Sequence, residues 1–256
     1  MIVRKNMAEL EKMRSSGLLV WNILDTLKKM VVEGVTTYDL EVAAEKMMAD
    51  AGARSAFKGY STPSAATKFP SVLCTSVNEE IVHGMPSQKR VLKRGDIVSI
   101  DTGVQLNGYY GDSAVTVGVG EISEESQRLM NVTRESLELA IEKARPGNRL
   151  FDICGTVERH VTANGFSVVR EFVGHGIGTQ MHEEPQVPNY VDRRSENPRL
   201  KEGMVLAIEP MVNAGAPGSR VRPDKWTAVT EDGKYSAHFE HTVAITANGP
   251  WVLTRP

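Results

Sequence analysis

Two stretches of this chain, laid side by side, decide the fold: Lys93-Arg-Gly95-Asp-Ile-Val-Ser-Ile-Asp101 and Lys201-Glu-Gly203-Met-Val-Leu-Ala-Ile-Glu209. Each is a charged, glycine-containing turn followed by an apolar run that reads as a strand and ends in a carboxylate. Working outward, Gly111-Asp112-Ser-Ala-Val-Thr-Val117 mirrors Phe239-Glu240-His-Thr-Val-Ala-Ile245, and Ile81-Val-His83-Gly84 mirrors Val173-Gly-His175-Gly176. Further upstream, the landmarks Gly34, Asp39 and Gly52 recur at a constant offset as Gly147, Asp152 and Gly165. The glycines at 52 and 165 fit helix C-terminal caps, and Thr36 with Asp39 fits an N-terminal capping box. A repeat this long is not a solenoid, whose units run about 20–50 residues. It predicts two similar halves, about 5–120 and 121–256, each with two helices followed by strands.

The strands read as antiparallel. Ile97–Gly103 and Asp112–Val119 flank Leu106-Asn107-Gly108, and Asn-Gly between such runs is a strong hairpin signal. Glu231-Asp-Gly-Lys234 is expected to turn in the same way between Trp226–Thr230 and Ser236–Thr246. Helices then strands, twice over, give an α+β class. Ser61–Lys68 is the loosest stretch and reads as a loop rather than a linker, so 1–256 is expected to be a single domain.

Composition narrows the function. The chain has 256 residues, with 30 Lys plus Arg against 32 Asp plus Glu, for a net charge of −2. That balance argues against a protein whose main work is gripping nucleic acid. Cys74 and Cys154 alone make no disulfide framework and suit a reducing compartment. The most apolar N-terminal run, Gly17–Leu24, is far short of the roughly 20 residues a bilayer requires. Leu10, Met13, Gly17, Val20, Leu24 and Leu27 instead recur as one buried helix face. The expectation is a cytoplasmic protein with no membrane contact, in which the sequon-like Asn131-Val-Thr133 is simply helix.

The duplication puts acids in equivalent places: Asp101 and Glu209 end matched strands, and Asp112 and Glu240 lie in their matched return strands. A carboxylate in an apolar run is costly to bury unless something neutralises it. An edge strand or a nearby arginine explains one such residue. For all of them together, repulsion calls for a cation, most simply two divalent ions. His175, in Gly174-His-Gly-Ile-Gly178, adds a nitrogen donor, which suits Mn, Fe(II), Co or Zn better than Ca or Mg. The same run does not meet the GxGxxG spacing of a phosphate loop. His83, the counterpart of His175, and His182 read either as hydrogen-bonding or acid–base groups or as polar loop residues. His160 reads as a solvated helix residue, and His238 and His241 are set aside as neighbours of Glu240.

Taken in order, Asn78-Glu-Glu-Ile-Val-His83-Gly-Met-Pro86, Asp101 with Asp112, Gly174-His175-Gly-Ile-Gly178, His182-Glu-Glu-Pro185, Ile208-Glu209-Pro210 and Glu240-His-Thr242 resemble the type I methionine aminopeptidases in their short bacterial form. The resemblance covers nearly the whole chain. It implies the pseudo-symmetric pita-bread fold and a dinuclear hydrolase acting on the N-termini of nascent polypeptides with a small second residue. It also implies that Asp101 binds one metal in a bidentate manner, that Asp112 and Glu240 bridge both metals, and that His175 and Glu209 hold the other. A hydroxide between the ions would attack the scissile carbonyl, with Glu209 as proton shuttle. His182 would hydrogen-bond that carbonyl, His83 would contact the scissile amide, and the substrate's free amine would meet a metal. Phe69, Cys74, Met181 and Trp226 would line the methionine pocket, although residues of these types are usually core. Phe69 stands where many relatives carry Tyr, and Met181 where many carry Phe. The family default is a monomer, with the ribosome as a further partner.

Two other readings compete. An X-Pro peptidase on the same fold usually carries an extra N-terminal domain, whereas this chain is expected to start at the fold. A catalytically dead binding relative would have lost metal ligands, and here the full set is present.

Overall fold

Helix α1 (Met7–Met30) starts at a reciprocal cap: Asn6 Oδ1 accepts from the Glu9 amide, and Glu9 Oε2 accepts from the Asn6 amide. These contacts come from a computed structural model that describes residues 1–61 and 67–256. Residues 62–66, within the loop expected at Ser61–Lys68, lie outside the described residues. The α1 face expected from sequence, Leu10 through Leu27, is buried, and Ser16 and Ile23 join it. Gly17 is required by close approach, because a Cβ there would collide with the Leu253 carbonyl.

Helix α2 (Thr37–Asp50) opens with the Thr36–Asp39 capping box and is followed by Gly52 at φ 64°. Helix α3 (Glu124–Ile141) contains Asn131 and Thr133. Helix α4 (Leu150–Ala163) repeats the α2 arrangement, with Asp152 accepting from the Arg149 amide and Gly165 at φ 79°. His160 differs from the solvated residue expected. It is half-buried between α3 and α4, with Nε2 3.3 Å from Glu135 Oε2.

Among the described residues, the main sheet is antiparallel and has nine strands. Six of them frame the site: β1 (Cys74–Val77), β2 (Ile97–Leu106), β3 (Tyr109–Gly118), β4 (Gly174–Gly176), β5 (Val205–Ile208) and β6 (Glu240–Thr246). The order β2-β3-β6-β5-β4 runs through the middle, and β1 pairs with the other side of β2. Read outward from the β3–β6 seam, each side therefore offers the same series: a return strand, its partner, and a short strand beyond. The β2–β3 hairpin closes through Asn107 and Gly108 at φ 54° and 82°, the left-handed pair that a two-residue turn demands.

Alternation along the strands separates two faces. Val98, Ile100, Val104, Val115 and Val117 point to the helical side and pack with α1 and α2, and Leu206, Ile208, Val243 and Ile245 pack with α3 and α4. A fully buried side chain such as Ile100 contributes roughly 1.5–3 kcal/mol of apolar burial. The intervening residues point to the opposite face, where the acids stand.

The second expected hairpin does not form. Ala228–Thr230 pairs with Ser219–Val221 and Glu80–Val82, whereas Ser236–His238 pairs with Met211–Asn213 in another sheet. The reason is competition from distant backbone: the Thr230 amide donates to Glu79 O and the Ser236 amide to Asn78 O. The run expected to be continuous from Ser236 to Thr246 also breaks at Phe239, whose amide donates to Pro210 O as the chain passes from one sheet to the other. Among the described residues, no helix is long and apolar enough to cross a membrane.

Candidate active site

Two rows of side chains cross the sheet on its non-helical face. In the first, Asp101 on β2 pairs with Ala114 on β3, and Ala114 pairs with Glu240 on β6. Glu209 stands one residue beyond the end of β5. In the second, Gly103 pairs with Asp112, Thr242 with Ala207, and Ala207 with His175 on β4. Thr242 Oγ1 ties these halves together, accepting from the Asp112 amide at 3.1 Å and donating to Asp112 O at 2.8 Å. Ala114, Ala207 and Gly103 matter because they are small: the acids and the imidazole converge over them without obstruction.

The convergence is tight. One potential ligand atom from each of Asp112, His175 and Glu240 lies within 4.8 Å of the others. His175 Nε2 is 3.9 Å from Asp112 Oδ2 and 3.6 Å from Glu209 Oε1. The Asp101 carboxyl lies against that of Asp112. His175 Nδ1 donates to Gly176 O at 2.9 Å, which leaves Nε2 with its lone pair turned toward the acids.

This arrangement is electrostatically incomplete. Burial pushes Asp112 up to about 7. Burial, and then the neighbouring carboxylates, raise Asp101, Glu209 and Glu240 well above the ordinary range. Burial and the nearby His182 push His175 down to about 3. Asp101 Oδ1, Asp112 Oδ1 and Glu240 Oε1 are buried with no hydrogen-bond partner among the described residues. Buried, unpartnered acid oxygens around a neutral imidazole nitrogen are a donor set that fits divalent cations.

Above the acids is a cavity of about 220 Å³. Every residue expected at the site from sequence borders it: Asp101, Asp112, His175, Glu209, Glu240, His83, His182, Phe69, Cys74, Met181 and Trp226. Phe69 meets Trp226 edge to face, with ring centroids 5.2 Å apart, and Cys74 packs with both. Met181 belongs to a different apolar cluster, with Leu10 and Ile177. His83 is held at φ 60° with its ring edge-on to Phe172, and burial pushes it down to about 4.

Sequence reasoning missed two residues. Tyr60 borders the cavity and supplies the second aromatic wall beside Phe69; its place before the long 61–68 stretch obscured it. His238, set aside as a mere neighbour of Glu240, is buried with Nε2 3.7 Å from Glu209 Oε2. No local signal marks it, because the chain changes sheets at Phe239 and the partner, Glu209, lies on another segment.

A buried acid–histidine cluster on a curled antiparallel sheet backed by helices defines a metallohydrolase of the pita-bread fold. The chain belongs to metallopeptidase family M24, whose sequence profile matches residues 11–247. It is 50% identical over 254 residues to a methionine aminopeptidase of Clostridium acetobutylicum, covering 99% of each chain. It matches the crystal structure of a methionine aminopeptidase from Thermotoga maritima with a TM-score of 0.95 at 44% identity, over 100% of both chains. A prolidase from Pyrococcus horikoshii shares the fold, with a TM-score of 0.79 at 24% identity, and the chain covers 64% of it.

Proposed function

We propose that this chain is a metalloaminopeptidase that removes the N-terminal methionine from nascent proteins with a small second residue. The observation that carries the reading is the pairing of acid cluster and cavity: Asp101, Asp112, His175, Glu209 and Glu240 form the floor of a space walled by Phe69, Cys74, Met181 and Trp226. Residues 1–256 act as one catalytic domain, with halves at about 5–120 and 121–256 meeting at the site. In the cell, the substrate would be chains leaving the ribosome in the cytoplasm, and the enzyme a monomer.

Asp101, Asp112, His175, Glu209 and Glu240 would hold two divalent ions, from among Co, Mn, Fe(II) and Zn. When bound, such ions supply a Lewis acid that polarises a carbonyl and makes water acidic enough to act as a nucleophile near neutral pH. Glu209, a carboxylate at the floor of the cavity, would take a proton from water and return it to the leaving amine. His182 donates a hydrogen bond to the scissile carbonyl, and His83 contacts the scissile amide. The substrate's free amine would meet a metal, which restricts cleavage to chain ends. The sulfur, ring and thiol surfaces of Met181, Phe69, Trp226 and Cys74 suit an unbranched thioether.

The test is release of methionine from a Met-Ala-Ser peptide by chelator-stripped protein reloaded anaerobically with Mn, Fe(II) or Co, with Ala-Pro-Ala alongside. Metal-dependent cleavage of the first peptide alone is expected. Cleavage of the second alone would move the protein to the X-Pro peptidases and overturn the reading.

A further inference from the structure

We propose that Tyr60 is a positioning residue that fixes the tautomer of His182. The inference rests on the carbonyl-donating role of His182 proposed above. Tyr60 Oη lies 3.1 Å from His182 Nδ1, and the two rings sit 5.3 Å apart, tilted by 57°. The other flank of His182 faces His175, with ring centroids 4.3 Å apart. One imidazole nitrogen is thus committed to a phenol, and the other remains for the cavity.

The backbone around Tyr60 shows that this placement is built. The Tyr60 amide donates to Phe57 O at 2.9 Å, the Gly59 amide to Phe69 O at 2.8 Å, and the Phe69 amide to Tyr60 O at 2.8 Å. Tyr60 and Phe69 are therefore clamped to each other, although the chain between them is long. Phe69 is in turn packed on Trp226. The hydroxyl that reaches His182 is anchored through the same pair that forms the aromatic wall of the cavity.

A phenol O–H is a good donor and its oxygen a poor acceptor, whereas an unprotonated imidazole nitrogen is a good acceptor. The pair therefore settles with Tyr60 donating to Nδ1. The hydrogen a neutral imidazole keeps then sits on Nε2, because the bond made by one ring nitrogen decides the state of the other. Only that tautomer can donate to a carbonyl oxygen from Nε2; the opposite one presents a lone pair and repels it. Tyr60 thus acts through His182 without touching the reacting atoms.

The tautomer can be read directly. In long-range proton–nitrogen NMR spectra of the isotope-labelled, Zn(II)-loaded chain, His182 is expected to show a pyridine-like Nδ1 and a pyrrole-like Nε2. The signals are assigned by their loss in His182→Gln. Tyr60→Phe keeps the ring and removes only the hydroxyl, and it should convert His182 to a mixture of tautomers. On Met-Ala-Ser it should lower kcat about tenfold with KM within about twofold, the size of one neutral hydrogen bond. A wild-type His182 protonated on Nδ1, a Tyr60→Phe spectrum identical to wild type, or an unchanged kcat would each overturn the proposal. An inactive wild-type protein with the expected spectra would overturn the carbonyl-donating role and uphold the contact.

Discussion

Lys5 and Glu183, 178 positions apart, form an ion pair in which the two side chains are only 3% and 7% exposed. The other oxygen of Glu183 accepts from the Thr179 and Gln180 amides, so the N-terminal arm locks the loop that carries Met181 and His182. Lys5→Met should destabilise the protein by about 3–5 kcal/mol in urea titrations, because it strands a buried carboxylate. Lys5→Met with Glu183→Gln should recover part of that loss, because no charge remains to be stranded. A single variant as stable as wild type would show that the pair contributes nothing.

Asp112 and Glu240 stand at the centre of the acid cluster, and the metal-free fold carries their burial as a cost. Asp112→Asn and Glu240→Gln should each abolish turnover and weaken Zn binding by calorimetry. Asp112→Asn should also raise the Tm of the chelated protein at about pH 8, by about 3 °C, since a repelled buried charge is removed. Near-normal activity in both variants would remove these residues from the site.

The same electrostatics fix a pH dependence. Asp112 rises to about 7 on folding, and Asp101, Glu209 and Glu240 also rise, so the folded metal-free chain binds more protons than the unfolded one. Ionising them as pH increases therefore weakens the fold. His83 and His241, lowered to about 4, His175 and His238, lowered to about 3, and His182, also lowered, act with the opposite sign. Their contribution changes mainly below about 6.5, where an unfolded imidazole titrates. Between about pH 6.5 and about pH 8 the imidazole contribution dies away and the carboxylates dominate, and the Tm of chelated protein should fall. Saturating Zn should flatten the slope, and its binding should release protons in weakly buffered solution. A Tm that climbs through this window without metal would contradict the arrangement.

Arg222 ties the turn that carries Trp226 to Glu79 and Glu80, its own amide donating to Thr227 O at 2.8 Å. Its guanidinium donates to Glu79 at 2.8 Å and to the buried Glu80 at 2.5 Å, and Asp224 accepts from the Trp226 and Thr227 amides. Arg222→Ala should raise KM for Met-Ala-Ser about fivefold with a smaller change in kcat, the pattern of lost ground-state binding. An effect confined to kcat would place the loop in the chemistry instead.

Legibility differed between residues for physical reasons. The capping box at Thr36–Asp39 and the Asn107-Gly108 turn were readable because each depends on bonds between near neighbours in the chain. The paired acids were readable because duplication repeated them. The turn at Glu231–Lys234 was misread, because its flanking segments find better partners in Glu79 and Asn78, far away in sequence. His160 was misread because its partner, Glu135, lies on another helix.

The sequence by itself determined the α+β class, the start of the second helix, the glycine stops at 52 and 165, the central hairpin and the matched placement of the acids in the two halves. All of these follow from local torsional preference, hydrophobic period, or one half echoing the other. Only the tertiary structure decided what crosses between distant segments: the clamp of Tyr60 to Phe69, the approach of Tyr60 to His182 and His238 to Glu209, and the sealing of Lys5 on Glu183. A side chain's partner across the sheet depends on strand register and on which sheet the chain enters after Phe239, and no local pattern encodes either.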